Sequence, residues 1–483
     1  MNELYTVAQL RTIEQAVQAP LMQRAGHAAA NAALELLAGL QEPQVLVLAG
    51  PGNNGGDAFE AAASLADAGI DVSIIHLPGT PSPECARAMA RANASSAQFV
   101  AAPQRCSLVI DGLFGIGLAR PIEGAAKDLV QAINAMQLPV MALDVPSGLD
   151  ADTGALVGTT AIRASHTITF IGDKPGLHTC EGREHAGEVM VAGLDIPAAQ
   201  FPPATMHLNA PALFASWLKP RSQNSHKGSH GNVAIVGGAH GMAGAAMLAA
   251  RAALFTGAGR VYVAAVDPGP AFDTVQPEVM FRNADQFDFA SAALVVGPGM
   301  GLTPNAERLL GRAMGAGAAT VLDADALNMM AATGKRPHAQ CVLTPHPLEA
   351  ARLLQRDAAA IQADRVGAAR ELAAMTGAVV VLKGSGTVIA APDGRVVINQ
   401  TGNAGLATAG TGDVLAGMCG SLLAQGWPCW EAALGAVWMH GMAADRLVAG
   451  GFGPIGLTAG ELPGAARAVL NALVARPGAP QQS

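Results

Sequence analysis

Aromatic side chains are scarce: twelve Phe, four Trp and two Tyr make up only 4% of 483 residues. The core of such a chain has to be built from small and branched aliphatics, which suits parallel strands buried between Ala-rich helices. Charged residues are also few, at 14%, and their balance is −8. That excludes a basic surface for nonspecific nucleic-acid binding, although backbone N–H groups can still hold an anion locally. The six cysteines, Cys85, Cys106, Cys180, Cys341, Cys419 and Cys429, include no C-x-x-C pair. This argues against a disulfide framework or a zinc site and fits a reducing compartment. Long apolar runs are missing too. Stretches such as Val45–Ala49 are too brief to span a bilayer, and Glu3, Arg11 and Glu14 interrupt any signal peptide. A soluble cytoplasmic protein without a membrane partner is the expectation.

What is present is an alternation of strands and helices. Residues 7–40 read as helical with a break at Pro20, and Val45–Ala49 is an apolar run ending in Gly-Pro-Gly, the mark of a buried parallel strand. Ala58–Ala68 reads as a helix and Asp71–His76 as a strand, while Ser107–Gly112 and Val140–Asp144 are apolar runs that reach an Asp. Pro202, Pro203, Pro211, Pro220 and the polar stretch Arg221–His230 then change the texture, as at a domain boundary. A second series begins at Asn232–Val236 and runs through Arg260–Val266, Ala293–Val296, Thr320–Asp323, Cys341–Thr344 and Ala378–Leu382, before a helical region over Thr408–Leu447. The length exceeds one core, so two α/β domains with right-handed crossovers are expected.

Gly50-Pro51-Gly52-Asn53-Asn54-Gly55-Gly56-Asp57 follows a strand and satisfies G-x-G-x-x-G. Its two Asn and its Asp are foreign to an ordinary dinucleotide fingerprint, and Asp71 begins the second strand where a ribose anchor should end it. Polar ligand or cation contacts suit this loop, as does a Gly-rich turn with capping side chains. Asp111 and Asp144 stand at strand C-termini, where open α/β sheets hold ligands; either alone also suits a cap. In the second half, Thr408-Ala409-Gly410-Thr411-Gly412-Asp413 opens an apolar helix, pairing an anion-binding N-terminus with one carboxylate, a pairing useful for phosphoryl transfer. As a plain first-turn acid, Asp413 would stabilise by less than about 1 kcal/mol. Lys383 follows a strand and could cradle a phosphate or sit in solvent, and no Walker A spacing surrounds it. His240, His338 and His440 read as structural or surface histidines.

The ordered run PGNNGGD, DGLFGIG, LDVPSGLD and DKPGLH (Asp173–His178) resembles the YjeF N-terminal domain family of NAD(P)H-hydrate epimerases. The resemblance covers about residues 1–205 and implies a Rossmann-like three-layer αβα domain. It also implies that Asn53, Asn54, Gly55, Gly56 and Asp57, with Gly115, Ile116, Gly117, Leu118, Ala119, Arg120 and Pro121, hold the hydrated nucleotide. Asn54, Asp111 and Ser147 would coordinate K⁺, and Asp144 would contact the reacting ring as the catalytic carboxylate. Ala58 replaces the family's usual Gly.

HKGSHG, GPGMG, LDADAL, LTPHPLE, VLKGSGT and TAGTGD then follow in the order of the ADP/ATP-dependent NAD(P)H-hydrate dehydratase domain, a member of the ribokinase-like superfamily. The domain would occupy residues 207–483. This resemblance implies that Ala245, Gly299 or Gly301, His346 and Asp413 contact the substrate, with Asp413 catalytic. Lys383, Gly384, Ser385, Gly386, Thr387 and Gly412 would hold ADP, or ATP, as phosphoryl donor together with Mg²⁺. Leu348 replaces the family's Gly in T-P-H-P-G-E, which would strain a position of positive φ.

The implied function is repair of NADHX and NADPHX, with one half interconverting the C6 epimers and the other dehydrating the S form. A ribokinase-like small-molecule kinase, an NAD-dependent oxidoreductase and a protein-binding N-terminal half are the alternatives. A homo-oligomer is expected for such enzymes, although no interface is legible.

Overall fold

The strand Gln44–Ala49 divides its side chains between two cores. Val45, Val47 and Ala49 pack with small residues of the helices Leu21–Leu37 and Asn53–Asp67, among them Ala29, Ala33 and Ala62. Leu46 and Leu48 pack on the opposite face with Leu129, Val130 and Ile133 of the helix Gly124–Met136. A strand buried on both faces has no polar side, which is why the run is apolar throughout. The computed structural model describes residues 3–475, and the chain divides between His207 and Leu208 into two compact units.

In the first unit the strands run in the order Gln98–Phe99, Asp71–His76, Gln44–Ala49, Leu108–Gly112, Val140–Leu143, His166–Phe170 and Glu188–Ala192, all paired in parallel. This is a three-layer α/β/α sandwich. The chain leaves Gln44–Ala49 toward one edge and returns to its other side at Leu108–Gly112, so a crevice opens at the C-terminal ends of these two strands.

In the second unit Asn232–Gly237 lies between Arg260–Ala265 and Ala293–Val296, which gives a second reversal of strand order. Parallel strands continue through Thr320–Leu322, Cys341–Leu343 and Val379–Leu382, and Val388–Ala390 and Val396–Ile398 extend the sheet antiparallel. Val233 and Ile235 share one core with Ala246, Ala249 and Ala253 of the helix Ala243–Phe255 and with Val414, Met418 and Leu422 of the helix Thr411–Ala424.

The structure refines three expectations. The helix expected from Ala58 begins at Asn53, so the Asn-Asn-Gly-Gly-Asp run forms its opening turns. The region Thr408–Leu447 splits into Thr411–Ala424 and Cys429–Ala449, because Gly426 takes φ 86° and Pro428 caps the second helix. Leu348 lies in the helix Pro347–Leu354 and is not a positive-φ residue, so the side chain causes no strain. Ala58 is also accommodated: it is fully buried against Gly112, which has no side chain to oppose it. No helix among the described residues is long and apolar enough to cross a membrane.

Two candidate active sites

The crevice of the first unit holds a cavity of about 1000 Å³ lined by Asn53, Asn54, Asp57, Asp144 and the loop Gly115–Arg120. Gly55, Gly56 and Pro121 do not line it. Gly55 works instead through close approach: a Cβ there would stand 1.8 Å from the Gly50 carbonyl oxygen. The absent side chain lets the helix start directly over the strand end, which aims Asn53, Asn54 and Asp57 at the cavity.

Asp144 follows the strand Val140–Leu143 with φ 66°, a strained backbone for a residue with a side chain. Its carboxylate pairs with Lys174 at 2.7 Å and accepts the Phe170 N–H at 3.3 Å. Lys174 is 1% exposed. Its ammonium also donates to Thr169 Oγ1 at 2.6 Å and to the Phe170 and Gly172 carbonyls, each at 3.2 Å. Lys174 belongs to the DKPGLH run but was given no role from sequence, because its partner lies on another strand.

Asp111 is fully buried. It accepts the Ser147 hydroxyl at 2.7 Å, the Ser147 N–H at 2.8 Å and the Leu113 N–H at 3.2 Å. Burial pushes its carboxyl up to about 6, against the lowering effect of the Ser147 hydrogen bonds. Asn54 is buried with neither its amide oxygen nor its nitrogen hydrogen-bonded. A Cβ on Gly115 would stand 3.4 Å from the Asn54 amide oxygen, so the DGLFGIG loop closes over that side chain. A buried amide without a partner costs about 1–3 kcal/mol, and an oxygen-seeking cation beside the Asp111–Ser147 pair is a physical reason to keep one.

In the second unit Asp413 opens the helix Thr411–Ala424. Lys383 reaches the same point from the end of Val379–Leu382: a Cβ on Gly412 would stand 3.3 Å from its Nζ. That ammonium bonds Asp323 Oδ1 at 2.8 Å, and the same oxygen accepts the Thr344 hydroxyl at 2.8 Å. Burial drives the Lys383 ammonium down, but the Asp323 and Glu349 carboxylates outweigh it, so the group is net raised and stays charged. Burial, with the Asp323 charge next, pushes Asp413 up to about 7 against the opposing Lys383. Asp323 lies in the quoted LDADAL run, yet nothing in sequence marked it. Its partner is 60 residues away.

His346 caps the helix Pro347–Leu354, accepting the Leu348 and Glu349 N–H groups on Nδ1 at 3.1 and 3.2 Å. Burial lowers its basicity, and Lys383 acts in the same direction. Gly299 approaches Ala245 closely enough that a Cβ on it would lie 3.2 Å from that of Ala245, and the Gly301 N–H donates to Asp325 at 2.8 Å. The loop Lys383–Thr387 is braced from beneath by Arg365, 1% exposed, which donates to the Ser385 and Leu382 carbonyls. His440, read from sequence as structural or surface, is buried beside the Thr411 backbone and pushed down to about 4 by burial.

Between Asp323 and Asp325, Ala324 adopts φ 49°, ψ −116°. This turn sends one carboxylate to Lys383 and the other to the Gly301 N–H. Strain of this kind costs about 1–3 kcal/mol, while Gly adds only about 0.5–1 kcal/mol of backbone entropy. Ala324→Gly should therefore stabilise the second unit by about 1 kcal/mol in urea denaturation. A loss of stability would show that the turn is unstrained.

The sequence matches two family models, the YjeF-related protein N-terminus over residues 18–176 and NAD(P)H-hydrate dehydratase over 233–457. A bifunctional NAD(P)H-hydrate repair enzyme of Escherichia coli is 39% identical over 443 residues, covering 88% of this chain and 85% of its own. One from Coxiella burnetii is 36% identical over 485 residues, covering 96% and 98%. A ribokinase-like superfamily protein from Enterococcus faecalis, 24% identical, superposes with a TM-score of 0.50 over 56% of this chain and 96% of its own, which shows the fold of the second half. The relatives bear the name of a repair enzyme, and neither the kinase nor the oxidoreductase alternative draws support from them. The chain belongs to the family of bifunctional NAD(P)H-hydrate repair enzymes, with an epimerase domain of the YjeF N-terminal type followed by an ADP/ATP-dependent dehydratase domain.

Proposed function

We propose that the first unit epimerises hydrated NADH and NADPH at C6 in the cavity beside Asp144, and that the second dehydrates the S form at Asp413. The observation that carries the dehydratase reading is the convergence of Asp413, Gly412 and Lys383 at the start of one helix. Asp413 takes the proton of the C6 hydroxyl as its oxygen attacks the terminal phosphoryl group of ADP or ATP. Lys383, the Gly412 N–H and the helix N-terminus meet the negative charge that moves with that group. The phosphate ester is a better leaving group than hydroxide. The N1 electron pair expels it, and loss of a C5 proton restores NAD(P)H. Ala245, Gly299, Gly301 and His346 are assigned to the substrate, and Gly384, Ser385, Gly386 and Thr387 to the adenine nucleotide. Mg²⁺ would arrive with the nucleotide and neutralise phosphate charge, a role that hard oxygen ligands suit.

In the first unit Asn53, Asn54, Asp57 and Gly115–Arg120 are assigned to the hydrated nucleotide. Gly55, Gly56 and Pro121, which the cavity does not reach, are assigned to shaping the two loops around it. Asn54, Asp111 and Ser147 would hold K⁺, which would satisfy the Asn54 amide oxygen and favour the ionised Asp111 carboxylate. Saturating K⁺ should then raise wild-type stability by about 1–3 kcal/mol relative to a bulky monovalent cation, and Asn54→Ala should lose that increment. An equal response in both proteins would remove the cation from this site.

The deciding assay is recovery of reduced-nicotinamide absorbance from a mixed-epimer NADH hydrate with Mg²⁺, K⁺ and ADP. Full recovery that requires the nucleotide is expected. Recovery that stops at the S fraction would refute the epimerase assignment, and none with ADP or ATP would refute the dehydratase.

A further inference from the structure

The epimerase cavity contains a second carboxyl group, contributed by a different element, whose surroundings differ from those of Asp144. Asp57 projects from the helix Asn53–Asp67, whereas Asp144 sits at the end of Val140–Leu143, and both line the cavity. Asp144 has its own cation, Lys174, at 2.7 Å. Asp57 makes no ion pair among the described residues, and the groups that bear on it are acidic: Asp144, Glu14, Glu60 and Glu84. Several cations of the cavity wall face other acids, and none of the lining cations, Arg120 included, forms an ion pair with Asp57 among the described residues. Arg91 bonds Glu60 at 2.5 Å, Arg87 lies 3.8 Å from Glu84, and the Arg11 charge acts on Glu14. Cys85 is the remaining titratable neighbour, itself raised by burial and by the Asp57 charge.

Inversion at C6 requires what such a pair supplies. The hydroxyl must leave one face as water and a water molecule must add to the other. A single carboxylate on one face can assist only half of that sequence. We propose that Asp57 and Asp144 are a two-carboxyl, one-proton pair on the two faces of the hydrated nicotinamide ring, each acting as acid toward one C6 epimer and as base toward the other.

In one direction the Asp57 carboxyl gives its proton to the C6 hydroxyl. The C6–O bond breaks, water departs and the N1 electron pair forms the N1=C6 bond. Water then adds to C6 from the opposite face, the π pair returns to N1, and Asp144 takes the proton released. The reverse reaction begins with the proton on Asp144 and ends with it on Asp57, so atoms and charge balance in both directions. The two carboxyl groups differ in their surroundings: burial and then the neighbouring carboxylates push Asp57 well above the usual carboxylate range, while Asp144 pairs with Lys174 at 2.7 Å.

This inference deepens the epimerase reading and rests on it. The test follows single epimers in water enriched in oxygen-18, using wild type, Asp57→Asn and Asp144→Asn, with NADP⁺ binding to each full-length protein, read as protection of the cavity loop Gly115–Arg120 from amide hydrogen exchange, as the check that the cavity is formed. Wild type should invert either epimer with solvent oxygen entering C6; if it inverts neither, the epimerase reading itself has failed. Each variant should lose inversion at least a hundredfold. Each should still admit solvent oxygen into one epimer with retention, and the two variants should do so for opposite epimers. Inversion at the wild-type rate in Asp57→Asn, or loss of exchange in both epimers in that variant while NADP⁺ still binds, would overturn the pair. Should Asp57→Asn fail to bind NADP⁺, Asp57→Glu decides: restored inversion supports the pair, and NADP⁺ binding without inversion or exchange overturns it.

Discussion

Asp413→Ala should lower dehydration of the S hydrate by roughly a thousandfold or more, the scale on which a positioned general base acts, while epimerisation continues at its original rate. The carboxylate is the proton acceptor assigned to the attacking hydroxyl, and Lys383 beside it can only donate. Its environment also sets a pH signature. Burial and the neighbouring acids Asp323, Asp325 and Glu349 raise Asp413 to about 7, so the base is half protonated near neutrality. A base must be ionised to act, so kcat for dehydration should fall about tenfold per pH unit below that value and level off above it. Lys383→Met removes the positive charge that lowers Asp413, so the limb of the profile should move to higher pH. Full turnover in Asp413→Ala, or a flat profile from pH 5 to 8, would displace Asp413 from the role of base.

Asp144→Asn should have an effect of similar size on the other reaction, a loss of roughly a hundredfold or more in epimerisation with dehydration of the pure S hydrate intact. Given a mixed hydrate, this variant should restore absorbance promptly to the S fraction and then slow to the uncatalysed rate. The substitution also leaves the Lys174 ammonium buried against a neutral amide, with Thr169 Oγ1 and the Phe170 and Gly172 carbonyls as its remaining partners. Breaking one half of a buried pair costs about 3–5 kcal/mol. The first unit should therefore unfold at lower denaturant concentration, and Lys174→Met, which removes the orphaned charge, should recover part of that loss in combination with Asp144→Asn. Unchanged epimerisation in Asp144→Asn would remove the carboxylate from the mechanism.

Much of the architecture was legible in sequence because it rests on local rules. The apolar runs at Val45–Ala49 and Ala293–Val296 are strands buried on both faces, and such strands carry no polar alternation to confuse them with surface. The helix starting at Asn53 was placed five residues late, since Asn, Gly and Asp are weak helix formers that read as a turn. Tertiary contact overrides that preference: Gly55 packs on the Gly50 carbonyl and the buried Ala58 on Gly112. Leu348 shows the opposite error, a strain anticipated from a missing glycine at a position that is ordinary helix.

By itself the sequence determined two α/β units, strand ends carrying Asp111 and Asp144, and a Gly-rich helix start carrying Asp413. It could do so because periodicity and helix-terminal residue types are local properties of the chain. Only the tertiary structure decided what each carboxylate faces. Lys174 stands against Asp144, Asp323 holds Lys383 beside Gly412, Ser147 bonds Asp111, and the charges of Asp144, Glu14, Glu60 and Glu84 bear on Asp57. Those neighbours come from different strands and helices, and proton affinity in a low-dielectric site depends on distance through space, which spacing along the chain does not encode.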